Sequence, residues 1–150
     1  MSLIQQISAE PDFLYVRTKG EFSLEEAQEN FIAMLQAVAQ HKVKKVLMDG
    51  REVTGEPETM ERFFYSEFAA ESVMKFAKHG VSLATQFAYV LEEPVLDPNR
   101  FGETVAVNRG VLMKAFDTLE EARQWLKVAP LSNPDPDART TTRPPVRRAL

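Results

Sequence analysis

From Phe13 onward, short β-prone segments alternate with segments of helical periodicity, and this alternation restricts the fold more than any other feature of the chain. Parallel strands need long crossover connections, which helices usually supply. The order therefore predicts an α/β domain with a mostly parallel sheet of four to five strands, flanked by about four helices. The chain begins differently: the turn pair Pro11-Asp12 separates two short strands, Leu3–Ser8 and Phe13–Thr18, which indicates an N-terminal hairpin.

Two of the predicted helices begin with a specific local signal. Ser23 with Glu26, and Thr118 with Glu121, each place a hydroxyl and a carboxylate three residues apart before a run of helical periodicity. This spacing is the capping box, in which both side chains bind backbone N–H groups at the start of a helix. We therefore predict a first helix and a last helix at these two places.

A short apolar run, Lys44–Asp49, predicts the central strand, because it is too short for a helix and lies between charged ends. We expect a loop at 50–56 and then a long second helix, with Pro57 in its first turn and Gly80 at its end. Further along the chain we predict a strand within 81–91, a helix from 97 to about 108, an edge strand at 112–116 and a last helix at 118–127.

The chain reads VLMDGR at 46–51, FGETVAVNRG at 101–110, and FD at 116–117 followed by EEARQWL at 120–126. These segments resemble the uncharacterised bacterial STAS-like proteins, which are related in fold to anti-sigma-factor antagonists. The resemblance covers roughly residues 13–127 and implies a STAS-like fold. The antagonists carry a phosphorylatable serine in an Asp-Ser-Ser-Gly-like loop at the equivalent place. This chain reads DGREVTG there and offers only Thr54 as a displaced hydroxyl.

The charge of the chain is unevenly divided. The sequence has 18 basic and 22 acidic residues, for a net charge of -4 at pH 7. Four of the basic and two of the acidic residues lie in 130–150, so residues 1–129 hold 14 basic and 20 acidic residues and carry -6. An acidic domain repels phosphate backbones, and we expect no nucleic-acid partner. Because residues 130–150 are rich in proline and poor in apolar side chains, we predict a domain at 1–129 and a disordered Pro/Arg-rich tail at 130–150.

Several kinds of chemistry are disfavoured by what the sequence lacks. It has no cysteine, which excludes disulfides, thiolate nucleophiles and cysteine metal ligands. Its two histidines, His41 and His79, lie near predicted helix ends, and no nucleotide-binding glycine motif occurs. We therefore expect no metal site, no cofactor, no catalytic residues and no enzyme activity. No apolar run approaches the ~20 residues of a membrane span, and we expect a cytoplasmic protein.

The second predicted helix carries Phe63, Phe64, Tyr65 and Phe68. Successive helical positions are rotated by ~100°, so these rings cannot all face one core, and we expect at least one of them to be exposed. We predict that these four residues form a ligand or partner surface, which would contact a second copy of the chain or another protein. Alternatively, it would form the wall of a pocket for a small apolar molecule or lipid, or the helix would be broad and fully buried.

The predicted loop after the central strand contains Asp49, Arg51 and Thr54. Ligands of open α/β sheets bind beyond the carboxyl ends of the strands, which makes this loop a candidate site. Three interpretations stay open: Asp49 and Arg51 pair to hold the loop, they serve an enzyme, or Thr54 is phosphorylated. We favour a non-enzymatic STAS-like interaction or regulatory module, with a small-molecule or lipid carrier as the alternative.

Overall fold

A computed structural model of the chain describes residues 2–97, 99 and 101–131. Every predicted strand and helix is present in this part of the chain. The strands are β1 (Ile4–Ala9), β2 (Leu14–Glu21), β3 (Lys45–Thr54), β4 (Gln86–Val90) and β5 (Leu112–Phe116). The helices are α1 (Leu24–His41), α2 (Thr59–Phe76), α3 (Phe101–Asn108) and α4 (Leu119–Leu126), with a short 3-10 turn at Ala77–His79. The predicted disordered tail lies outside the described residues from 132 onward.

The five strands form one sheet in the order β1-β2-β3-β4-β5. β1 and β2 pair antiparallel as a hairpin, whereas β2, β3, β4 and β5 pair in parallel. β3 lies at the centre and β5 at an edge, as the sequence predicts. The α/β fold class with an N-terminal hairpin and a mostly parallel sheet is confirmed.

Both predicted helix starts are confirmed, with the hydroxyl half of each capping box formed, while the Glu26 carboxylate accepts from the Leu3 N–H and the Glu121 carboxylate from the Thr118 hydroxyl. The Ser23 hydroxyl accepts a hydrogen bond from the Glu26 backbone N–H at 3.4 Å, and the Thr118 hydroxyl accepts one from the Glu121 N–H at 3.2 Å. Each hydroxyl accepts a hydrogen bond from one of the backbone N–H groups that a helix leaves unpaired at its start. Side-chain chemistry therefore sets both helix boundaries.

Helices cover the two faces of the sheet unequally. The first face, here called the helical face, packs against α1, α2 and α3 through a large apolar cluster that includes Leu14, Val16, Phe31, Leu35, Ala69, Phe87 and Ala106. The second, here called the α4 face, packs against α4 through Phe13, Leu47, Ala88, Val90, Phe116, Ala122 and Leu126. Leu131 packs against this second cluster as well. None of the described helices is long and apolar enough to cross a membrane.

The predicted loop at 50–56 is wrong over most of its length, because β3 continues to Thr54. Arg17 of β2 lies opposite Asp49, and Lys19 lies opposite Glu52, so that two residues of β3 are accommodated opposite one residue of β2. This arrangement is a β-bulge, which interrupts the alternation of side chains along a strand. A glycine followed by charged residues and a broken alternation does not read as a strand, which explains the error.

Two helix starts also lie later than predicted. Glu58 is the N-cap of α2, and its backbone N–H donates to the Glu61 carboxylate at 2.9 Å. Pro57 therefore precedes the helix instead of lying in its first turn. α3 begins at Phe101, and the Asp97 carboxylate upstream accepts a hydrogen bond from the Asn99 N–H at 3.1 Å. Asp97 therefore belongs to a turn before the helix.

Candidate functional site

The outer face of α2, defined here by Met60, Phe63, Phe64, Glu67 and Met74, is rich in exposed apolar surface. Met60, Phe64 and Met74 are 55%, 44% and 58% exposed. The rings of Phe63 and Phe64 pack edge to face, with their centroids 5.7 Å apart. The expectation that at least one aromatic ring of this helix is exposed is confirmed by Phe64.

Arg109, at the end of α3, fixes the position of part of this outer face. Its guanidinium carbon lies 5.4 Å from the centroid of the Phe63 ring, within the range of a cation–π contact. One of its nitrogens lies 3.3 Å from a carboxylate oxygen of Glu67. The outer face therefore combines exposed methionines with an aromatic pair, one ring of which is contacted from the end of a neighbouring helix.

The four aromatic residues of α2 do not form one surface. Tyr65 points inward, where its hydroxyl lies 2.6 Å from the Tyr89 hydroxyl on β4. Its ring packs edge to face against Phe31 of α1, at 6.0 Å between centroids. Phe68 is half-buried. The predicted grouping of Tyr65 with Phe63 and Phe64 is therefore corrected, because the 100° rotation per residue places it on the side of the helix that faces the sheet.

A cavity of about 140 Å³, partly open to solvent, lies between the sheet and the helices of the helical face. We call it the inner cavity. All five strands and the helices α1, α2 and α3 contribute to its walls. Most of the lining is apolar and includes Leu3, Phe22, Phe31, Met34, Met48, Val53, Leu91 and Val95.

Thr18 is the buried polar residue of the inner cavity that the rest of the described chain does not satisfy. The residue is 2% exposed, and its hydroxyl oxygen has no hydrogen-bond partner among the described residues. An unmade hydrogen bond of this kind costs about 1–3 kcal/mol. Thr18 lies on β2 opposite the bulge of β3. In the strand register, Arg17 before it lies opposite Asp49, and Lys19 after it lies opposite Glu52.

Tyr65 and Tyr89 supply a second polar group in the cavity wall. Burial raises the pKa of both hydroxyls above the ordinary value, so both are protonated and neutral at physiological pH. One hydrogen bond joins the two oxygens and uses one of the two hydroxyl hydrogens. The other hydrogen is available to an acceptor in the cavity.

The segment 91–97, which follows β4, closes one side of the inner cavity. Arg62 of α2 holds this segment by donating to the carbonyl oxygens of Val95 at 2.7 Å and Pro94 at 2.8 Å. Val95 and Leu96 of this segment are buried, at 7% and 5% exposure. The cover of the cavity is thus attached to α2 through one side chain.

Asp49 and Arg51 lie on the α4 face and are paired with each other. Two nitrogens of Arg51 donate to the two carboxylate oxygens of Asp49, at 2.9 and 2.8 Å, and the Tyr15 hydroxyl donates to the same carboxylate at 2.7 Å. Burial alone would raise the pKa of Asp49, but the hydrogen bonds and charge of Arg51, together with Tyr15, outweigh burial and hold it below its ordinary value. The carboxylate is therefore ionised, and both of its oxygens accept hydrogen bonds from protein side chains.

Thr54 is the third residue of the predicted loop, and the structure does not bring it to Asp49 and Arg51. It is exposed at the end of β3, where its hydroxyl donates to the Gly20 carbonyl oxygen at 3.4 Å. Sequence reasoning did not find Thr18 or Tyr89. An available signal was the inward-facing series Leu14, Val16 and Thr18 on β2, in which a hydroxyl occupies a core position.

Comparisons with known proteins identify the fold. No family model and no curated protein matches the sequence. Among solved structures, the chain is similar to an anti-sigma-factor antagonist from Mycobacterium paratuberculosis, with a TM-score of 0.56 and 14% identity over 85% of this chain and 96% of that one. It is also similar to the anti-sigma factor antagonist SpoIIAA in its unphosphorylated form, with a TM-score of 0.51 and 12% identity over 85% and 100% of the two chains.

A third similar structure is an uncharacterised protein of the DUF3478 family with a SpoIIAA-like fold, from Shewanella loihica PV-4. It shares 19% identity over 83% of this chain and 93% of that one, with a TM-score of 0.46. The two anti-sigma-factor antagonists, at TM-scores above 0.5, show that this chain has a STAS-like fold. The resemblance that the sequence suggests is confirmed at the level of the fold.

Proposed function

We propose that this protein is a non-enzymatic regulatory module that acts through protein–protein contacts, and that a second copy of the chain is one of its partners. Two of the solved structures that share its fold are anti-sigma-factor antagonists, which supports a regulatory role. The same proposal places the protein in the cytoplasm, in keeping with a sequence that has no cysteine.

The outer face of α2 is the observation that carries this proposal. Exposed Met60, Phe64 and Met74 lie beside Phe63 and Arg109. Aromatic residues, methionine and arginine are the side chains that are enriched at the centres of protein interfaces. Large apolar side chains on one helix face lose contact with water when a partner covers them, which is favourable by roughly 25 cal/mol per Å².

The spacing of the two methionines favours a second copy as the partner. Met60 and Met74 lie near opposite ends of the same helix, about 21 Å apart at 1.5 Å per residue. An antiparallel α2 from a second copy would therefore bring Met60 of each chain against Met74 of the other, with Phe63 and Phe64 further towards the axis. The same register would place the two Glu67 side chains near the two-fold axis, each paired with Arg109 of its own chain. Such a two-fold arrangement is the commonest symmetry of homo-oligomers.

The pairing of Asp49 with Arg51 supports the non-enzymatic part of the proposal. The Asp49 carboxylate is occupied by Arg51 and Tyr15, and its lowered pKa makes it a poor proton acceptor at neutral pH. Thr54 has no part in the proposal, because Glu52 and Glu56 lie close to it in sequence and would repel a phosphate.

Light scattering over a dilution series tests the proposal directly. We expect the wild-type chain to have the mass of a dimer and Phe64→Glu to have the mass of a monomer, because a buried unpaired carboxylate is incompatible with the interface. The control is Ile4→Glu, which places the same charge on a residue of 51% exposure in β1, away from α2. Ile4→Glu should remain a dimer. A monomeric wild type, or a dimeric and folded Phe64→Glu, would contradict the proposed interface.

A further inference from the structure

We propose that the inner cavity is a binding site for a small uncharged molecule, with an apolar body about the size of one aromatic ring and a hydroxyl group that bonds to Thr18 or to the Tyr65–Tyr89 pair. This site is separate from the outer face of α2, because Tyr65 and Phe64 project from different sides of the same helix. The inference does not depend on the proposed dimer.

The size of the cavity sets the size of the ligand. Its volume of about 140 Å³ is close to that of an engineered apolar cavity of about 150 Å³ that binds benzene. Apolar side chains such as Phe31, Met48 and Leu91 would contact the body of such a molecule. Because the inner cavity is partly open to solvent, a ligand of matching size would displace water from its apolar lining and gain contacts there.

The polar groups of the cavity wall indicate which hydrogen-bonding group the ligand has. The Thr18 hydroxyl can both donate and accept a hydrogen bond, and it has no partner among the described residues. The Tyr65–Tyr89 pair holds one further hydroxyl hydrogen that can be donated. A ligand hydroxyl can accept from either group and can donate to Thr18. A purely apolar ligand would leave both groups unsatisfied.

The charged residues of the cavity wall favour an uncharged ligand. Arg62 donates to the carbonyl oxygens of Pro94 and Val95, and the Glu103 carboxylate accepts from the Ala115 N–H at 3.0 Å. The Asp97 carboxylate accepts from the Asn99 N–H. The Lys114 ammonium lies 5.7 Å from the centroid of the Phe116 ring, which belongs to the α4 face. The other three groups are bound to the protein backbone, so an ion that entered the apolar part of the cavity would lose its hydration without gaining a counter-charge.

Phenol and toluene are the probes that separate the apolar and polar parts of this inference, because they have nearly the same shape and differ in one hydroxyl. Titration calorimetry on the full chain should show saturable binding of both, with phenol bound about tenfold more tightly. A tenfold ratio corresponds to about 1.4 kcal/mol, near the net value of one hydrogen bond. This comparison uses the wild type and requires no variant.

Thr18→Val assigns the hydrogen bond to its residue, because valine keeps the branched shape of threonine and removes the hydroxyl. We expect it to weaken phenol binding up to tenfold and to leave toluene binding unchanged. If the tyrosine pair supplies the bond, either single substitution would leave one hydroxyl in the wall, so the variant to use is Tyr65→Phe combined with Tyr89→Phe. This double variant should weaken phenol binding in the same way. Phe64→Glu, on the outer face, should bind both probes as the wild type does, whatever its oligomeric state.

Three results would overturn the inference. The first is no saturable binding of either probe, which would mean that solvent fills the cavity. The second is equal affinity for phenol and toluene in the wild type. The third is unchanged phenol binding both in Thr18→Val and in the double variant Tyr65→Phe with Tyr89→Phe, with folding of each variant established by its thermal unfolding curve. Because Phe64→Glu is scored by mass and these variants by affinity, failure of this site and failure of the proposed dimer are distinguishable.

Discussion

On the α4 face of the sheet, Asp49 is 3% exposed, and its carboxylate is bound by Arg51 and Tyr15. On the helical face, Thr18 is 2% exposed, and its hydroxyl has no partner among the described residues. A buried unpaired carboxylate would cost several kcal/mol, whereas a buried unpaired hydroxyl costs about 1–3 kcal/mol. The cost of one unsatisfied hydroxyl is therefore small enough for a folded domain to tolerate, whereas a buried carboxylate has to be paired.

The packing of the two faces differs as well, because the α4 face is closely packed and the helical face contains the inner cavity. On the α4 face, Ala122 and Leu126 are almost completely buried, and Trp125 packs against Phe116 at 5.8 Å between ring centroids. On the helical face, the inner cavity remains between α1, α2 and the sheet. Truncation of buried side chains on the α4 face should therefore lower stability, whereas on the helical face one substitution beside the inner cavity should raise it.

Truncating the core of the α4 face should give the largest effect. Leu126 is 1% exposed, and Leu126→Ala should lower the free energy of unfolding by about 3 kcal/mol, through lost burial and the space left behind. Denaturant unfolding measures this change. Leu83→Ala is the control, because Leu83 is 52% exposed and its loss should cost less than about 0.5 kcal/mol. Equal effects of the two substitutions would mean that α4 does not dock as described.

Removing the counter-charge of Asp49 should give the next largest effect. Arg51→Met should lower the free energy of unfolding by about 2 kcal/mol at neutral pH. Loss of one partner from a fully buried ion pair would cost more, but the Arg51 side chain is 35% exposed. Arg17→Met is the matched control on the same face. It breaks the 2.7 Å pair with Glu52, whose side chain is 48% exposed, and should cost less than about 1 kcal/mol.

The pH dependence of the Arg51→Met effect separates electrostatics from packing. The lowered pKa of folded Asp49 contributes stability above the unfolded value of 3.8, and this contribution is lost as pH falls through the folded pKa. Without Arg51, burial raises the pKa of Asp49. The difference in unfolding free energy between wild type and Arg51→Met should therefore narrow as pH falls through these pKa values. A difference that stays constant between neutral and acidic pH would indicate lost packing alone.

Replacing the unsatisfied hydroxyl on the helical face should give the smallest effect, with the opposite sign. Thr18→Val keeps the β-branched shape and removes a buried group that lacks a partner, so the ligand-free protein should gain about 1 kcal/mol. Thermal unfolding in the absence of any added molecule measures the gain. A clear loss of stability would show that the hydroxyl is satisfied in solution, for example by a bound water.

The parts of the fold that sequence reasoning predicted are those with local causes. Ser23 and Thr118 cap helices through residues three positions away, and the order of strands and helices constrains the sheet. Within α2, rotation of about 100° per residue is enough to predict that one ring is exposed. It does not say which one, because that depends on the neighbouring elements.

The features that sequence reasoning missed depend on contacts between distant residues. Tyr65 and Tyr89 are 24 positions apart, and no local pattern links their hydroxyls. The inner cavity is what remains after five strands and three helices have packed, so it has no sequence pattern of its own. The pairing of Asp49 and Arg51, in contrast, was one of the open interpretations, since opposite charges two positions apart in the predicted loop can pair locally.

The bulge in β3 determines how this chain should be aligned with any chain whose equivalent strand has no bulge. Met48 packs on the helical face, and regular alternation would place Val53 on the opposite one, yet Val53 also lines the inner cavity. A gapless alignment with an unbulged strand is therefore right up to Asp49 and exchanges inward and outward positions after it. A gap of one residue at 50–51 restores the match, and residue equivalences at Thr54 are meaningful only once that gap is included.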